Sequence, residues 1–297
     1  MNKTRKHEDL IYDVGMHKGE DSDYYLKKGF KVIGFEADPD LSALCRNKFS
    51  KEIENGRLII VEGAIVEMPQ GETKRQTLKF YKNKTITEWG TVSYDWARRN
   101  EILGTSSEVI DVPSVNFGQC LEKYGIPHFL KVDIEGMDTL CLKALLNFDQ
   151  KPNYVSIESE KVMFRKLVEE FNLFRQLGYT KFKAVQQCGV SYQAEPNPSK
   201  EGSYVGYHFK HDSSGLFGED LPGEWKHYNQ VINKYRIIFI LYKLFGDYGK
   251  LNSSSIGRGF RTVLSKLLRR TIPGWYDTHA KHSSAIEHKL AYRQGAD

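Results

Sequence analysis

The stretch YDVGMHKGED, Tyr12–Asp21, decides how this chain is read. It continues the apolar, β-branched run LIYDVG and sets two glycines, Gly15 and Gly19, four residues apart. That pattern predicts a strand, a tight turn, and then a helix, SDYYLKKGF, stopped by Gly29. KVIGFEA (31–37) reads as a second strand and PDLSALCRNKFSKEIE as a second helix entered through Pro39. RLIIVEGAIV (57–66) reads as a third strand. Residues 67–112 break the rhythm, which resumes with HFLKVDIEG, MDTLCLKALLNF, PNYVSIESE, KVMFRKLVEEFNLFRQLGY and TKFKAVQQ. Such alternation specifies an α/β fold with a doubly wound, mostly parallel sheet.

The 297 residues, 40% hydrophobic, suffice for one large domain with an appendage or for two smaller domains. No apolar run is long enough for a membrane span, and MNKTRKHEDL lacks the apolar core of a signal peptide. Cys45, Cys120, Cys141 and Cys188 form no CxxC pair, which argues against zinc and disulfides and for a reducing cytoplasm. Charge is uneven: residues 1–225 hold 30 Lys and Arg against 34 Asp and Glu, whereas residues 226–297 hold 13 against 4. A boundary near Trp225 is therefore expected, separating a 1–225 domain from a basic 226–297 helical extension.

In a doubly wound sheet the first strand–helix turn lies where ligands bind. Its glycines would let the backbone approach a ligand closely. Glu36, closing the second strand, can accept hydrogen bonds from both hydroxyls of a ribose. Dinucleotide enzymes need G-x-G-x-x-G there, so that a pyrophosphate can sit on the helix N-terminus. Here Asp13-x-Gly15-x-x-x-Gly19 stands instead. A carboxylate in that place repels a pyrophosphate and suits an ammonium or sulfonium, the pattern of S-adenosylmethionine binding.

The segments DVGMHKGEDSDYYLKKGFKVIGFEADPDL (13–41), FLKVDIEGMDTLCLKAL (129–145) and YVSIESE (154–160) resemble the FkbM-type methyltransferases, with Lys131–Gly136 the most specific part. The resemblance covers about residues 10–210; Met16, His17 and Lys18 depart from the family's usual Ala-Asn-x. It implies a Rossmann-like class I methyltransferase sheet of seven strands, S-adenosylmethionine as donor with S-adenosylhomocysteine as product, and O-methylation of a sugar, glycan or secondary metabolite. Asp13, Gly15, Met16, His17 and Gly19 would hold the methionine end of the cofactor, and Glu36, Ala37 and Asp38 the ribose. Glu62, Gly63 and Ala64 would lie at the adenine.

Asp133 and Glu135 alternate at a strand end, so both point to one face. Buried carboxylates there are costly unless bonded or functional, which makes Asp133 the candidate beside the methyl group. Glu135 is the candidate base or pocket support, with helix capping the structural alternative to both roles. His17 is a third catalytic candidate, or simply a satisfied loop residue. Glu158 and Glu160 with Asp133 could bind Mg²⁺, but no spacing demands a metal. Trp89 and Trp96 could stack on a sugar or belong to the core.

HDSSGLFGEDLPGEW (211–225) could form a lid. RGFRTVLSKLLRR places Phe260, Val263, Leu264, Leu267 and Leu268 on one face, for core packing or for an anionic membrane surface. The expected partners are thus a small-molecule or glycan acceptor and an anionic surface met by the tail, with no specific nucleic acid. The protein is expected in the cytoplasm, or peripheral to a membrane through its tail. Two other classes stay open: a nucleotide-sugar oxidoreductase or epimerase, which needs a Tyr-x-x-x-Lys pair that YLKK (25–28) on the first helix only approximates, and a non-catalytic scaffold with a basic tail.

Overall fold

The computed structural model describes residues 2–68, 75–134, 136–160, 163–210, 212–246 and 274–286, with a few positions between 249 and 272. In chain order these form β1 (Lys6–Val14), α1 (Glu20–Lys27), β2 (Lys31–Glu36), α2 (Pro39–Lys48), α3 (Ser50–Glu54), β3 (Leu58–Glu62) and β4 (Ala64–Ile65). Next come β5 (Thr77–Asn83), α4 (Tyr94–Ile102), β6 (Ser107–Val115), α5 (Phe117–Tyr124), β7 (Ile126–Val132), α6 (Thr139–Leu145) and β8 (Tyr154–Glu158). The last are α7 (Phe164–Gln176), β9 (Tyr179–Gln186), α8 (Tyr228–Phe245) and β10 (Tyr276–His282).

The main sheet has seven strands in the order β3-β2-β1-β7-β8-β10-β9. β1 pairs in parallel with β2 and β7, β2 pairs in parallel with β3, and β10 runs antiparallel to β9. This is the Rossmann-like, mostly parallel architecture expected. The strand order reverses beside β1, so the crevice beyond β1 and β7 is where such a sheet binds ligands. The second half of β1 is buried throughout, as an interior parallel strand covered on both faces must be.

The expected third strand is broken in two. Gly63, at φ +132°, donates its N–H to the Glu36 carbonyl at 2.9 Å, and Ala64–Ile65 leaves the main sheet to pair with β6. A three-stranded sheet of order β4-β6-β5 results, cored by Ala64, Phe80 and Val112. Only glycine serves at the break, because a Cβ there would lie 2.4 Å from the Pro113 carbonyl oxygen.

The chain divides into two units, Met1–Val155 with Glu195–Tyr207, and Ser156–Ala194 with His208–Asp297. In the first, the returning segment is fastened by ion pairs through Glu195 and Glu201. Lys28 meets Glu195, and His128 lies between Glu8 at 2.9 Å and Glu201 at 2.8 Å. Burial works against the charged imidazole, but the two carboxylates outweigh it and raise His128 to about 9.

The second unit corrects two expectations. Segment 211–225 is no lid within its described residues: Leu216, Phe217 and Leu221 are buried, and Lys183 donates to the Leu221 carbonyl at 2.7 Å. The tail is not wholly helical either. Beyond α8 it supplies β10, YDTHAKH, whose side chains are nearly all buried. These polar residues suit a core because partners await them. Thr278, Tyr235 and Ser159 close a triangle of hydroxyls at 2.6–2.7 Å, and Lys281 reaches Glu219 at 2.6 Å. Of the five apolar positions singled out in RGFRTVLSKLLRR, only Val263 falls among the described residues, and it is exposed. Among those residues no helix is long and apolar enough to cross a membrane.

A chain ending at Trp225 therefore loses α8 and β10 and strips β9 of its antiparallel partner. It should be insoluble or melt without cooperativity. A soluble fragment with a sharp thermal transition would contradict this role of β10.

Candidate functional site

Parallel register sets Gly34, Asp13 and Lys131 side by side on β2, β1 and β7. Asp13 is wholly buried. Its Oδ2 accepts the Ser22 hydroxyl at 2.6 Å and its Oδ1 faces the Lys131 ammonium at 3.3 Å. Lys131, 5% exposed, also donates to the Gly15 carbonyl at 2.8 Å and lies 3.8 Å from Asp21 and 3.9 Å from Asp133. Burial would pull this ammonium down, but Asp13, then Asp133 and Asp21, outweigh it and hold it well above the ordinary lysine range. A permanent positive charge thus sits beneath the first turn.

The turn above it is left-handed at Gly15 (φ +79°), His17 (φ 52°) and Gly19 (φ +71°). A Cβ on Gly15 would lie 1.9 Å from the Asp133 carbonyl oxygen, and one on Gly19 would lie 2.4 Å from the Phe49 ring. Met16 is buried against Gly34, where a Cβ would come within 2.4 Å of its sulfur. At all three glycines, then, the close approach is made by the protein's own atoms, where the sequence suggested a ligand.

Glu36 closes β2 at 8% exposure. Its Oε2 accepts the His17 N–H at 2.7 Å and its Oε1 the Asp38 N–H at 2.8 Å. Burial pushes the carboxyl up to about 7, and the two amides and the His17 ring only partly offset it. Asp38 caps α2 through the Asp40 N–H at 2.9 Å and pairs with Lys82 of β5 at 3.0 Å. Glu62, beside Glu36 in register, is held by Arg46 at 2.7 Å. Gly63 and Ala64 stand at the junction of the two sheets, and Ala37 packs against the core of the smaller one.

The inserted segment returns to this end of the molecule twice more. His17 Nε2 meets the Thr87 hydroxyl at 2.7 Å, with Glu20 at 3.5 Å from Nδ1 and Glu88 at 3.6 Å from Nε2. The Trp96 indole covers Gly136, whose Cβ would fall 2.0 Å from the ring nitrogen. Trp96 is thereby fixed beside the end of the K-V-D-I-E-G block, whereas Trp89 is a half-buried residue whose carbonyl takes the Asn100 amide at 3.3 Å. Asp133 follows β7 directly, with its side chain 50% exposed. Glu135 lies outside the described residues.

The structure thus brings Asp13, Gly15, Met16, His17, Gly19, Glu36, Asp38 and Asp133 to one end of β1, β2 and β7. Sequence reasoning passed over Lys131, Ser22, Lys82 and Thr87. Only Lys131 left a signal there: a lysine inside the apolar strand HFLKVDI must find buried carboxylates. The arrangement suits a ligand with a cationic end and a ribose. Carboxylates line the turn, Glu20, Asp21 and Asp23 occupy the first turn of α1, and an anion there would be repelled. YLKK supplies no oxidoreductase pair: Tyr25 and Lys28 are one residue too close, both are buried, and Lys28 is spent on Glu195. Among the described residues no three His, Cys, Asp or Glu side chains are grouped to hold a metal ion.

A fold of this order, with an acidic first turn and a carboxylate closing β2, defines a Rossmann-like protein with a site suited to S-adenosylmethionine. Residues 13–204 match the model of the methyltransferase FkbM domain, and the chain belongs to that family of methyltransferases. The family implies S-adenosylmethionine as the methyl source. Among solved structures the chain is similar to precorrin-6y C5,15-methyltransferase from Geobacter metallireducens GS-15, with 11% identity, a TM-score of 0.33, and coverage of 61% of this chain and 68% of that one. It is also similar to a putative sarcosine dimethylglycine methyltransferase from Galdieria sulphuraria, with 8% identity, a TM-score of 0.36, and coverage of 93% and 78%. Nothing about the site follows from likenesses at this level. No curated protein matches the chain.

The raised Glu36 carboxyl makes a prediction about pH. Its neutral form stabilises the folded state fully below about pH 4.5, and that stability is lost as pH rises through about 7. Between about pH 6 and 8 the melting temperature should fall more in the native protein than in Glu36→Gln. Parallel curves would show that Glu36 does not carry the proton.

Proposed function

We propose that the protein transfers the methyl group of S-adenosylmethionine to a hydroxyl of a sugar, a glycan or a sugar-bearing small molecule. The observation that carries this reading is the half-exposed Asp133, whose carbonyl lies against Gly15 of the first turn and which shares its block with Gly136, the residue that the Trp96 indole of the inserted segment covers. When bound, the cofactor supplies a methyl carbon on a sulfonium: the oxygen–carbon bond forms as the carbon–sulfur bond breaks, its electron pair staying on sulfur and the hydroxyl proton passing to a base.

In this reading Glu36 takes the ribose hydroxyls, to which its carboxylate still offers lone pairs beside the two amides it already accepts. The backbone at Gly63 and Ala64, with Glu62 at its edge, borders the adenine. Asp133 faces the cationic end of the donor. Glu135, two residues further along the same block, is the proposed base. His17 has its Nε2 on Thr87, so its proposed part is to fasten the inserted segment to the cofactor turn. That segment supplies the acceptor side, where the Trp96 ring offers an apolar face to a sugar.

Isothermal calorimetry with S-adenosylmethionine, S-adenosylhomocysteine and NAD tests the donor, and Glu36→Ala should weaken S-adenosylhomocysteine by about 1–3 kcal/mol. Tight NAD binding with no response to the other two would overturn the reading. For the acceptor, methyl-labelled donor is offered with a panel of free and nucleotide-linked sugars, and label is expected on a hydroxyl oxygen. Asp133→Asn and Glu135→Gln should fold normally, and Glu135→Gln should lower turnover by about 10²–10⁴-fold. Label found only on nitrogen or carbon would refute O-methylation.

A further inference from the structure

Lys131 belongs to neither the cofactor residues nor the catalytic carboxylates named above, yet it touches both. Its ammonium has three donors. One is spent on the Gly15 carbonyl at 2.8 Å, and Asp13, Asp21 and Asp133 surround it at 3.3, 3.8 and 3.9 Å. The Gly15 carbonyl belongs to the turn, Asp13 to β1, Asp21 to α1, and Asp133 to the end of β7. One buried charge therefore ties together the first turn, β1, α1 and the end of β7. It is also placed to be the electrostatic reference of the site, since the low dielectric around a 5%-exposed group lets its charge be felt over several ångströms.

Three carboxylates against one ammonium leave a formal charge of −2. Asp13 is wholly buried and is engaged by Ser22 and Lys131, so it is not presented to a ligand. Asp133, by contrast, is half exposed. We propose that Lys131 is a positioning residue for the methyl donor: it fixes the first turn by holding the Gly15 carbonyl, and it neutralises Asp13 so that the residual negative charge reaches the ligand through Asp133.

This rests on the proposed use of S-adenosylmethionine. Its consequence is a preference for the sulfonium donor over the product S-adenosylhomocysteine, whose sulfur carries no charge. That preference should follow the formal charge of the cluster and not merely its integrity. Product would leave because the charge that held the donor no longer has a counterpart.

The test is a charge series on the full-length protein, with calorimetric affinities for both ligands and thermal melting of each variant. Asp13→Asn brings the cluster to −1, Lys131→Met to −3, and the double variant returns it to −2. The donor-to-product affinity ratio should fall several-fold in Asp13→Asn and rise several-fold in Lys131→Met. In the double variant it should match the native value, while both affinities drop about tenfold because the Gly15 carbonyl has lost its anchor. Lys131→Met leaves Asp13 buried and uncompensated and could fail to fold. The double variant removes both charges together and, with Asp13→Asn, keeps the series readable. A ratio that stays constant across the folded variants overturns the proposal and leaves Lys131 a strut. If the native protein binds neither ligand, it is the donor assignment that fails.

Discussion

A lysine ammonium buried among carboxylates is the constraint on which the rest of this molecule's candidate site depends. Stripping water from a charge is expensive, and the expense is met only if the partners are close and the geometry is fixed. Lys131 meets that condition by standing next to Asp13 in strand register, so the pairing of β1 with β7 and the charge pairing enforce each other. The Gly15 carbonyl completes the arrangement and dictates the left-handed turn that follows. From that turn the His17 N–H is delivered to Glu36, and the end of β2 is locked to the end of β1. Glu36, its carboxyl raised by burial, is in this sense a dependent of Lys131 although the two do not touch.

The inserted segment is tied to the same strand ends. Lys82 binds Asp38, Thr87 binds His17, and Trp96 lies over Gly136, three contacts from one excursion of the chain. Each ends on a residue next to, or within, a motif of the first turn, the second strand or the K-V-D-I-E-G block. A segment anchored this way can change its exposed side chains without disturbing the strand ends, which is how loops on a rigid scaffold come to set specificity.

Much of this was legible in the sequence, and the failures have physical causes. Strand and helix alternation placed β1, β2, β7 and β8, because interior parallel strands are apolar almost throughout and the helices between them are amphipathic; β9, an antiparallel edge strand, was placed by following the amphipathic α7. The acid at the end of β2 and the Asp-x-Gly turn were visible as residue types in a fixed order. β10 was not, since YDTHAKH owes its burial to hydroxyls and carboxylates distant in sequence that pair with it. The segment around Leu216 and Phe217 looked like a lid because glycine punctuation marks turns whether or not their tips are buried. The glycines of the first turn were assigned to ligand approach, but the space they leave is filled by Asp133 and Phe49, and only coordinates reveal which neighbour needs the room.

We propose that the first turn, Glu36 and Asp133 together form one pocket for an adenosine-bearing methyl donor. A crystal structure of the protein grown with S-adenosylhomocysteine tests it most directly. The ribose hydroxyls should lie within hydrogen-bonding distance of the Glu36 carboxylate, the sulfur of the ligand should lie beside Asp133, and Lys131 should still hold the Gly15 carbonyl. Ligand bound elsewhere on the chain, with Glu36 keeping only its two backbone amides, would contradict the account.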